Sequence, residues 1–323
     1  KSFSIQMHVL GSKEERGALE KARETALHKT LNYIETSGMV YTRKGAQGKI
    51  QEKVYKLTFT LFTHTTNRKL EPQDHVHCLL ANIAKCKDGK YRTIVWDEVL
   101  RNSKFIGQIF RNELALEVQK AGYEIRTTML SDGSTSFELN SVSQNLIEAF
   151  STRRKELVEL FKYYDAKTKE AKDKIVINSR KSKQTSDKHK LESTWNKITA
   201  DVLTNENKKR GQEHRTSSLT NGLIERVRDV LDKTIYREAN QFKIIEVSAA
   251  ELAKQSLADV TNHNSTFTKA DISKVALKHG IGKYGIEDIT KTVEDLIKQK
   301  EIVRPYCSEN SRGQDIALLT SQE

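Results

Sequence analysis

The first part of the chain alternates between strand-like and helix-like spacing of its apolar residues. Ser2–Leu10 and Lys53–His64 alternate apolar and polar positions with a period of two, which is typical of half-buried strands. Lys13–Thr36 and Asp97–Gln119 repeat their apolar residues at helical spacing instead. A more continuously apolar run, HVHCLLANIA from His75, predicts a buried strand beside Lys53–His64. Together these elements predict an α+β fold.

Predicted helices dominate the middle of the chain. Leu146–Tyr163 has helical spacing, and shorter helices are expected over about 194–202 and 223–240. The polar stretch that follows Tyr163, up to about Lys190, contains few apolar residues. We therefore expect irregular structure there.

The C-terminal part carries clear helix-start signals. Ser248 predicts the N-cap of a helix that runs to about Val260, and Thr268 with Asp271 predicts a capping box. That second helix is expected to end at Gly280, and a third helix to cover about 286–300. The runs IVRPY and DIALL predict two short strands joined by a loop. Three helices followed by a strand pair are typical of a winged-helix domain.

Composition narrows the class of protein. A chain of 323 residues predicts two domains, and 55 Lys and Arg against 43 Asp and Glu give a net charge of +12. The three cysteines form no CxxC, which favours a reducing compartment. No apolar run approaches the roughly 18 residues of a membrane span. We therefore expect a cytoplasmic protein without membrane insertion.

The positive charge is concentrated in one segment. Ser151–Arg215 holds 18 Lys and Arg against 10 Asp and Glu, so 18 minus 10 gives +8 of the total. A cluster of this kind favours a polyanionic partner, although a solvated helical surface has the same composition. Arg101, Lys104 and Arg111 form a second basic stripe with Gln108 on the helix predicted over 97–119. An ordinary solvent-facing side would explain that stripe equally well.

Three of the nine histidines lie close together in the sequence. His75 and His77 are two positions apart in a predicted strand, so their imidazoles project from the same face. His64 ends the neighbouring predicted strand and could complete a set of three neutral nitrogen ligands for a metal ion. Cys78 falls on the opposite face. A pair of polar surface histidines is the alternative that the spacing leaves open.

The histidine segment resembles a known family. HTTNRKLEPQDHVHCLLANI, followed by DGKYRTI, resembles the signature of conjugative relaxases of the TraI/TrwC type, which are HUH endonucleases. The similarity continues through GQIFRNELALEVQKAGYEI, LIEAFSTRRKEL and NSRKSKQ. At the C-terminal end, STFTKADISKVALKHGIG and LLTSQE resemble the segment that links such relaxases to a helicase-like domain.

The resemblance implies a specific architecture. It implies an α+β relaxase palm with a central antiparallel sheet and covering helices, followed by a small winged-helix-like domain. The expected division is a palm over 1–165, incomplete at its N-terminus, a basic helical extension over 166–240, and a winged-helix-like domain over 241–323 that leads to a helicase-like region.

The resemblance also implies an activity. Relaxases nick DNA at a plasmid transfer origin and transfer the strand: a tyrosine hydroxyl attacks a phosphodiester and stays joined to the 5′ end. Carried over by motif, His64, His75 and His77 would hold one divalent ion, Mg²⁺ or Mn²⁺, with Zn²⁺ as a substitute in vitro. The implied partners are single-stranded DNA at the transfer origin, relaxosome accessory proteins and a type IV secretion coupling protein. The bacterial protein would act in the cytoplasm and could be translocated with the transferred strand.

Seven basic residues are expected to contact DNA. Arg68 matches the arginine of the family's H-x-x-x-R motif and could touch a phosphate. The other six come from the two basic groups: Arg101, Lys104, Arg111, Arg180, Lys181 and Lys183. Asp74 departs from the pattern, because an apolar residue commonly precedes the histidine pair.

The nucleophile is not assigned to a residue of this sequence. The motif order places the tyrosine and a supporting aspartate upstream of Lys1, so the chain as given is expected to bind metal and DNA without nicking. Tyr163 and Tyr164 form a pair, but they lie in the wrong part of the motif order.

The alternatives to a relaxase are a non-catalytic single-stranded DNA-binding module and a rolling-circle replication initiator of the HUH class. No GxxxxGK[ST], HExxH or GxSxG occurs, so P-loop, zincin and α/β-hydrolase chemistry lack their signatures.

Overall fold

A computed structural model describes most of the chain as two compact units. The described residues are 1–54, 56–130, 135–180, 182, 186–209, 247–262, 264, 267–303, 307–309, 315–317 and 320–321. The first unit contains Lys1–Gly17, Phe62–His77 and Glu138–Phe242, and the second contains Ala18–Leu61, Cys78–Phe137 and Lys243–Glu323. The division into 1–165, 166–240 and 241–323 stays a prediction.

The α+β class is confirmed by a mixture of helices and small antiparallel sheets. Up to residue 101 the elements are α1 (Ser2–Ile5), a π-helical turn (Gln6–Leu10), α2 (Lys13–Thr36), β1 (Tyr41–Lys44), a 3-10 turn (Ala46–Gly48), β2 (Ile50–Lys53), β3 (Phe59–Thr66), β4 (Pro72–Leu80), β5 (Ala84–Lys85), β6 (Tyr91–Arg92), β7 (Ile94–Val95) and α3 (Asp97–Arg101). The strand orders are β2-β1-β7, β3-β4 and β5-β6.

The later elements are mainly helical. They are α4 (Ser103–Lys120), β8 (Ile125–Met129), β9 (Thr135–Leu139), α5 (Gln144–Ala149), α6 (Thr152–Tyr163), α7 (Lys169–Asn178), α8 (Lys188–Lys209), α9 (Ala249–Thr261), α10 (Lys269–His279), α11 (Ile286–Lys298), β10 (Ile302–Val303), β11 (Cys307–Glu309), β12 (Asp315–Ala317) and β13 (Thr320–Ser321). None of the helices described here is long and apolar enough to cross a membrane.

The prediction of a strand over Ser2–Leu10 is wrong, because this segment is helical. Its alternating polar residues Ser2, Ser4 and Gln6 are buried together with the apolar ones. Their side chains make hydrogen bonds: the Leu139 amide donates to Ser2 Oγ over 2.6 Å, for example. A short segment that is buried all round has no exposed face, so periodicity cannot distinguish helix from strand.

Three predictions in the middle of the chain need correction. Leu146–Tyr163 is two helices, α5 and α6, because the chain breaks at Phe150 and Ser151. The stretch expected to be irregular contains α7, which is capped by the Thr168 side chain. The helix expected over 194–202 extends to both sides as α8, and the one expected over 223–240 lies outside the described residues.

The single helix predicted over Asp97–Gln119 is two helices, α3 and α4, separated at Asn102, and the buried face of α4 is not wholly apolar as its spacing predicts. Gln108, Asn112 and Glu113 are polar but buried. Asn112 Nδ2 donates to the Leu277 carbonyl over 3.0 Å, and Glu113 Oε1 accepts from the Ile286 amide over 2.8 Å. The sequence pattern failed because α4 packs partly against backbone groups, which require polar side chains.

The three C-terminal helices are as predicted, but their strands pair differently. Ser248 caps α9, and Thr268 with Asp271 forms the capping box of α10. The apolar sides of α9, α10 and α11 share one core with residues of α4. β10 pairs with β13, and β11 pairs with β12 inside that pair, so the two predicted strands are not partners of each other.

A substitution in α4 tests the polar packing of this unit. We expect Asn112→Leu to lower the free energy of unfolding by about 1–3 kcal/mol, because Gln108 and the Leu277 carbonyl each lose a buried partner. Urea denaturation followed by circular dichroism measures the change. Lys120→Gln, an exposed change on the same helix, is the control. Equal midpoints for both variants would show that the network contributes nothing.

Candidate metal and DNA site

The fold brings the three predicted histidines together. His64 lies in β3, and His75 and His77 lie in β4, its hydrogen-bonded neighbour. The ring centres are 5.4 Å apart for His64 and His75, 4.9 Å for His64 and His77, and 5.1 Å for His75 and His77. With metal–nitrogen bonds of about 2.1 Å, one ion can bridge three rings at such separations.

A hydrogen bond to the backbone orients the His75 ring for binding a metal ion. His75 Nδ1 lies 2.9 Å from the Gln73 carbonyl oxygen. A carbonyl can only accept, so Nδ1 must carry the proton. In the neutral ring the lone pair is then on Nε2, and ligating histidines are commonly oriented by such a second hydrogen bond. The donor set fits a divalent ion.

The turn between β3 and β4 is fixed by several hydrogen bonds. Leu70 has a positive φ of 59°. This backbone conformation is strained for a residue other than glycine. The Asn67 side chain accepts from the amides of Lys69 and Glu71, and the Leu70 carbonyl accepts from Trp195 Nε1 over 2.8 Å. Trp195, on α8, is buried. These contacts hold the turn that sets the register of the histidine strands.

Glu71 connects this turn to the start of α6. Its side chain is buried and accepts from Asn67 Nδ2 over 2.6 Å, from the Thr152 amide over 2.6 Å and from Thr152 Oγ1 over 2.5 Å. A carboxylate at a helix N-terminus is also favoured by the helix dipole. Lys69 and Glu156 form a further ion pair between the turn and α6.

A cavity of about 1230 Å³ opens beside the histidines. We call it the histidine cavity. Four arginines line it, and two buried or half-buried carboxylates, Glu71 and Asp74, lie among them. The arginines are Arg68, Arg153, Arg154 and Arg180. A concave surface with this excess of guanidinium groups suits a phosphate chain next to the histidines.

Asp74, the departure from the family pattern, has a partner of its own. Asp74 Oδ1 lies 3.0 Å from His8 Nε2, and the Asp74 amide donates to Ser4 Oγ over 2.9 Å. Its side chain is only 1% exposed. The aspartate therefore attaches β4 to the N-terminal helical segment, and β4 begins before it, at Pro72.

The predicted DNA contacts fall into separate groups. Arg68 and Arg180 line the histidine cavity, whereas Lys181 and Lys183 lie outside the described residues. The remaining three belong to the other compact unit. There Arg101 pairs with Glu98 over 2.7 Å, and Arg111 donates to the Thr135 carbonyl over 3.0 Å and to Gln108 Oε1 over 2.9 Å. Lys104 is exposed on α4. The basic stripe is also interrupted, because Gln108 is buried.

Sequence reasoning missed three basic residues of the cavity. Arg153 and Arg154 follow the start of α6, and Lys1 reaches the Pro72 carbonyl over 2.7 Å. Burial lowers the pKa of the Lys1 ammonium, although Glu71 and Glu138 oppose the shift. The RR pair in FSTRRKEL was the signal available, but only the fold places it beside the histidines.

A second group of potential ligands, Glu52, Cys86 and Asp88, lies in the other unit. Arg92 already donates to both oxygens of Asp88, over 2.8 and 2.5 Å, and lies 3.6 Å from Glu52. These hydrogen bonds hold the pKa of Asp88 well below its usual range. The Arg92 guanidinium thus supplies the positive charge that a metal ion would otherwise provide to these carboxylates.

Cys78, in β4 beside His77, is also an unsuitable metal ligand, since partial burial raises the pKa of its thiol.

Comparison with solved structures finds the same fold in a DNA-processing enzyme. The chain is similar to the conjugative relaxase TrwC in complex with oriT DNA in a copper-bound structure, with a TM-score of 0.56 and 29% identity over 62% of this chain and 67% of that one. A structure of TrwC with a 27-mer DNA that comprises the recognition hairpin and the cleavage site matches with the same score and identity, over 62% of this chain and 70% of that one.

Sequence comparisons agree with the structural ones. The model of the TrwC relaxase family matches residues 1–202. The multifunctional conjugation protein TraI of Escherichia coli is 31% identical over 112 residues, and TraI of strain K12 is 30% identical over 112 residues. The match covers 32% of this chain and only 6% of TraI.

The histidine cluster is expected to bind one divalent ion per chain. Calorimetric titration with Mn²⁺ or Zn²⁺ should show single-site binding, and each of His64→Ala, His75→Ala and His77→Ala should weaken it by more than about tenfold, because even loss of an outer-shell partner costs that much. His189→Ala, an exposed histidine on α8, is the matched control. Unchanged affinity in the triple-alanine variant would exclude the site.

Proposed function

The chain belongs to the TrwC relaxase family, and on that premise we propose that it cuts single-stranded DNA at a plasmid transfer origin by transesterification. One observation carries the proposal. Three histidines with ring centres 4.9–5.4 Å apart lie in a cavity lined by four arginines. Neutral nitrogen ligands suit a divalent ion, and the arginines suit the phosphates on either side of a scissile bond.

The arginines of the histidine cavity have the task of positioning the strand. Arg153 is held by Ser179 Oγ, to which its Nη2 donates over 2.9 Å, and by Glu156 at 3.6 Å. A guanidinium fixed in this way loses little freedom when it binds a phosphate. Arg68 and Arg180 are exposed at the same cavity. Held phosphates place the scissile group at a defined distance from the histidines, which contributes much of the rate in phosphoryl transfer.

The proposed ion site consists of His64, His75 and His77, with Mg²⁺ or Mn²⁺ as the physiological ion and Zn²⁺ as a substitute in vitro. When bound, a divalent ion at this position neutralises charge on a phosphate oxygen. His75 contributes Nε2, because its Nδ1 proton is donated to the Gln73 carbonyl.

We propose a tyrosine hydroxyl as the nucleophile, encoded upstream of Lys1 as the family resemblance implies. Its oxygen forms a bond to phosphorus, the bond from phosphorus to the 3′ oxygen breaks, and that oxygen leaves with the phenol proton as a free 3′ hydroxyl. The 5′ end of the cut strand stays joined to the tyrosine. Among the described residues no tyrosine lines the histidine cavity.

The remaining proposals rest on the resemblance. Relaxosome accessory proteins and a type IV secretion coupling protein are the proposed partners, and the bacterial cytoplasm is the proposed site of action, with translocation alongside the transferred strand. The chain spans about 6% of the curated relatives that it matches. The further activities of such multidomain relatives are therefore no part of this proposal.

A covalent-adduct experiment tests the enzymatic proposal. A labelled single-stranded transfer-origin oligonucleotide is incubated with Mn²⁺ and either Lys1–Glu323 or the same coding region extended upstream, then separated on a denaturing gel. We expect an adduct only with the extended protein, and its loss in the His75→Ala, His77→Ala double variant. His189→Ala serves as the control and should leave the adduct unchanged.

Two other results would change the interpretation. An adduct with Lys1–Glu323 that disappears after Tyr163→Phe and Tyr164→Phe would place the nucleophile at the C-terminal end of α6. DNA binding without any cleavage by the extended protein, with every ion, would support the non-catalytic DNA-binding module instead.

The salt dependence of DNA binding tests the phosphate contacts. Each of Arg68→Ala and Arg180→Ala should reduce the slope of log affinity against log salt by about 0.7, the value for one phosphate of a single strand. Lys197→Ala, on α8, is the matched control. The same titration applied to Arg101→Ala, Lys104→Ala and Arg111→Ala tests the second predicted group. An unchanged slope in the Arg68 and Arg180 variants would contradict this path for the DNA.

A further inference from the structure

A second cavity, of about 680 Å³, lies between α6 and α7. We call it the tyrosine cavity, because Tyr163 forms part of its wall together with Leu160 and Asn178. Arg153 and Arg180 line it as well, and both also line the histidine cavity. These two side chains therefore border both cavities.

Tyr163 offers an aromatic surface at this position. Tyr163 is 81% exposed, and its ring forms a T-shaped pair with the Tyr164 ring, with ring centres 4.9 Å apart and an angle of 89° between the ring planes. In a T-shaped pair the edge of one ring meets a face of the other, so Tyr164 covers at most one face of the Tyr163 ring. Exposed rings beside basic residues are the surfaces on which proteins stack the bases of single strands.

The charges of the tyrosine cavity favour a base over a phosphate. Glu156 and Glu159 contribute carboxylates to its wall, and these would repel a phosphate inside it. Glu156 is already paired with Lys69 and Arg153. Carboxylate oxygens accept hydrogen bonds from the exocyclic amino groups of cytosine and adenine. A base can thus occupy the cavity while its phosphate stays at the two arginines on the boundary.

We propose that the tyrosine cavity binds a nucleobase of the same DNA strand whose scissile phosphate lies at the histidines. The base stacks on the Tyr163 ring, and the phosphate that connects it to the reactive position lies between Arg153 and Arg180. This inference rests on the proposed function. It gives the exposed tyrosine a binding role instead of a nucleophilic one.

The test is a fluorescence titration without metal. A single-stranded oligodeoxycytidylate with one 2-aminopurine, placed at successive positions in a series of probes, is titrated with the 323-residue chain in EDTA. We expect one position to show quenching on binding, because 2-aminopurine loses fluorescence when it stacks. Tyr163→Ala should abolish that quenching and weaken affinity by roughly 5- to 150-fold. Tyr163→Phe should preserve both, since it keeps the ring face.

Matched variants make each outcome decisive. Tyr91→Ala, which removes another exposed tyrosine in the other compact unit, should leave affinity and quenching unchanged. If Tyr163→Ala binds as tightly as the natural chain, the base site is wrong while the proposed function stands. If Tyr163→Phe loses as much affinity as Tyr163→Ala, the hydroxyl rather than the ring face is responsible, and stacking is excluded. If the natural chain binds neither this probe nor the single-stranded transfer-origin oligonucleotide, the proposed function itself fails.

Discussion

The histidine cavity depends on the hydrogen bonds of one buried carboxylate, that of Glu71. A buried charge is costly unless several donors satisfy it. Here the donors are Asn67 Nδ2 on the β3–β4 turn and both the amide and the hydroxyl of Thr152 on α6. The turn and the helix must lie against each other for these groups to reach the same carboxylate. The histidine strands and the start of α6 are therefore placed together.

The position of the arginines follows from that attachment. Arg153 and Arg154 come directly after Thr152, so the helix start that satisfies Glu71 also carries the basic wall of the cavity. The Asp74 carboxylate, also at this cavity, lies 3.0 Å from His8 Nε2, and the Asp74 amide donates to Ser4 Oγ. The acidic groups near the histidines are thus occupied by hydrogen bonds within the protein.

The sequence was most informative where chemistry and local geometry coincide. Two histidines two positions apart in a strand must share a face, and the capping residues Ser248 and Thr268 mark helix starts through their own side chains. It was least informative where distant backbone groups decide the environment. The polar side of α4 is buried because Asn112 and Glu113 bind backbone groups of residues far along the chain. No periodicity contains that information, and none indicates that Arg153 borders the histidines.

Arg153 has the further property that it belongs to both cavities. Ser179, just after α7, and Glu156, on the next turn of α6, fix its guanidinium from two helices. If a base enters one cavity and a phosphate the other, both lie against the same fixed group. Binding of the base then limits the positions that the phosphate can occupy. Binding energy from a part of the substrate remote from the reacting bond lowers the activation barrier only if it helps to hold the reacting groups in the correct geometry. The Arg153 guanidinium is suited to this role, because it would have to give up its contacts with Ser179 and Glu156 in order to bind a misplaced DNA strand.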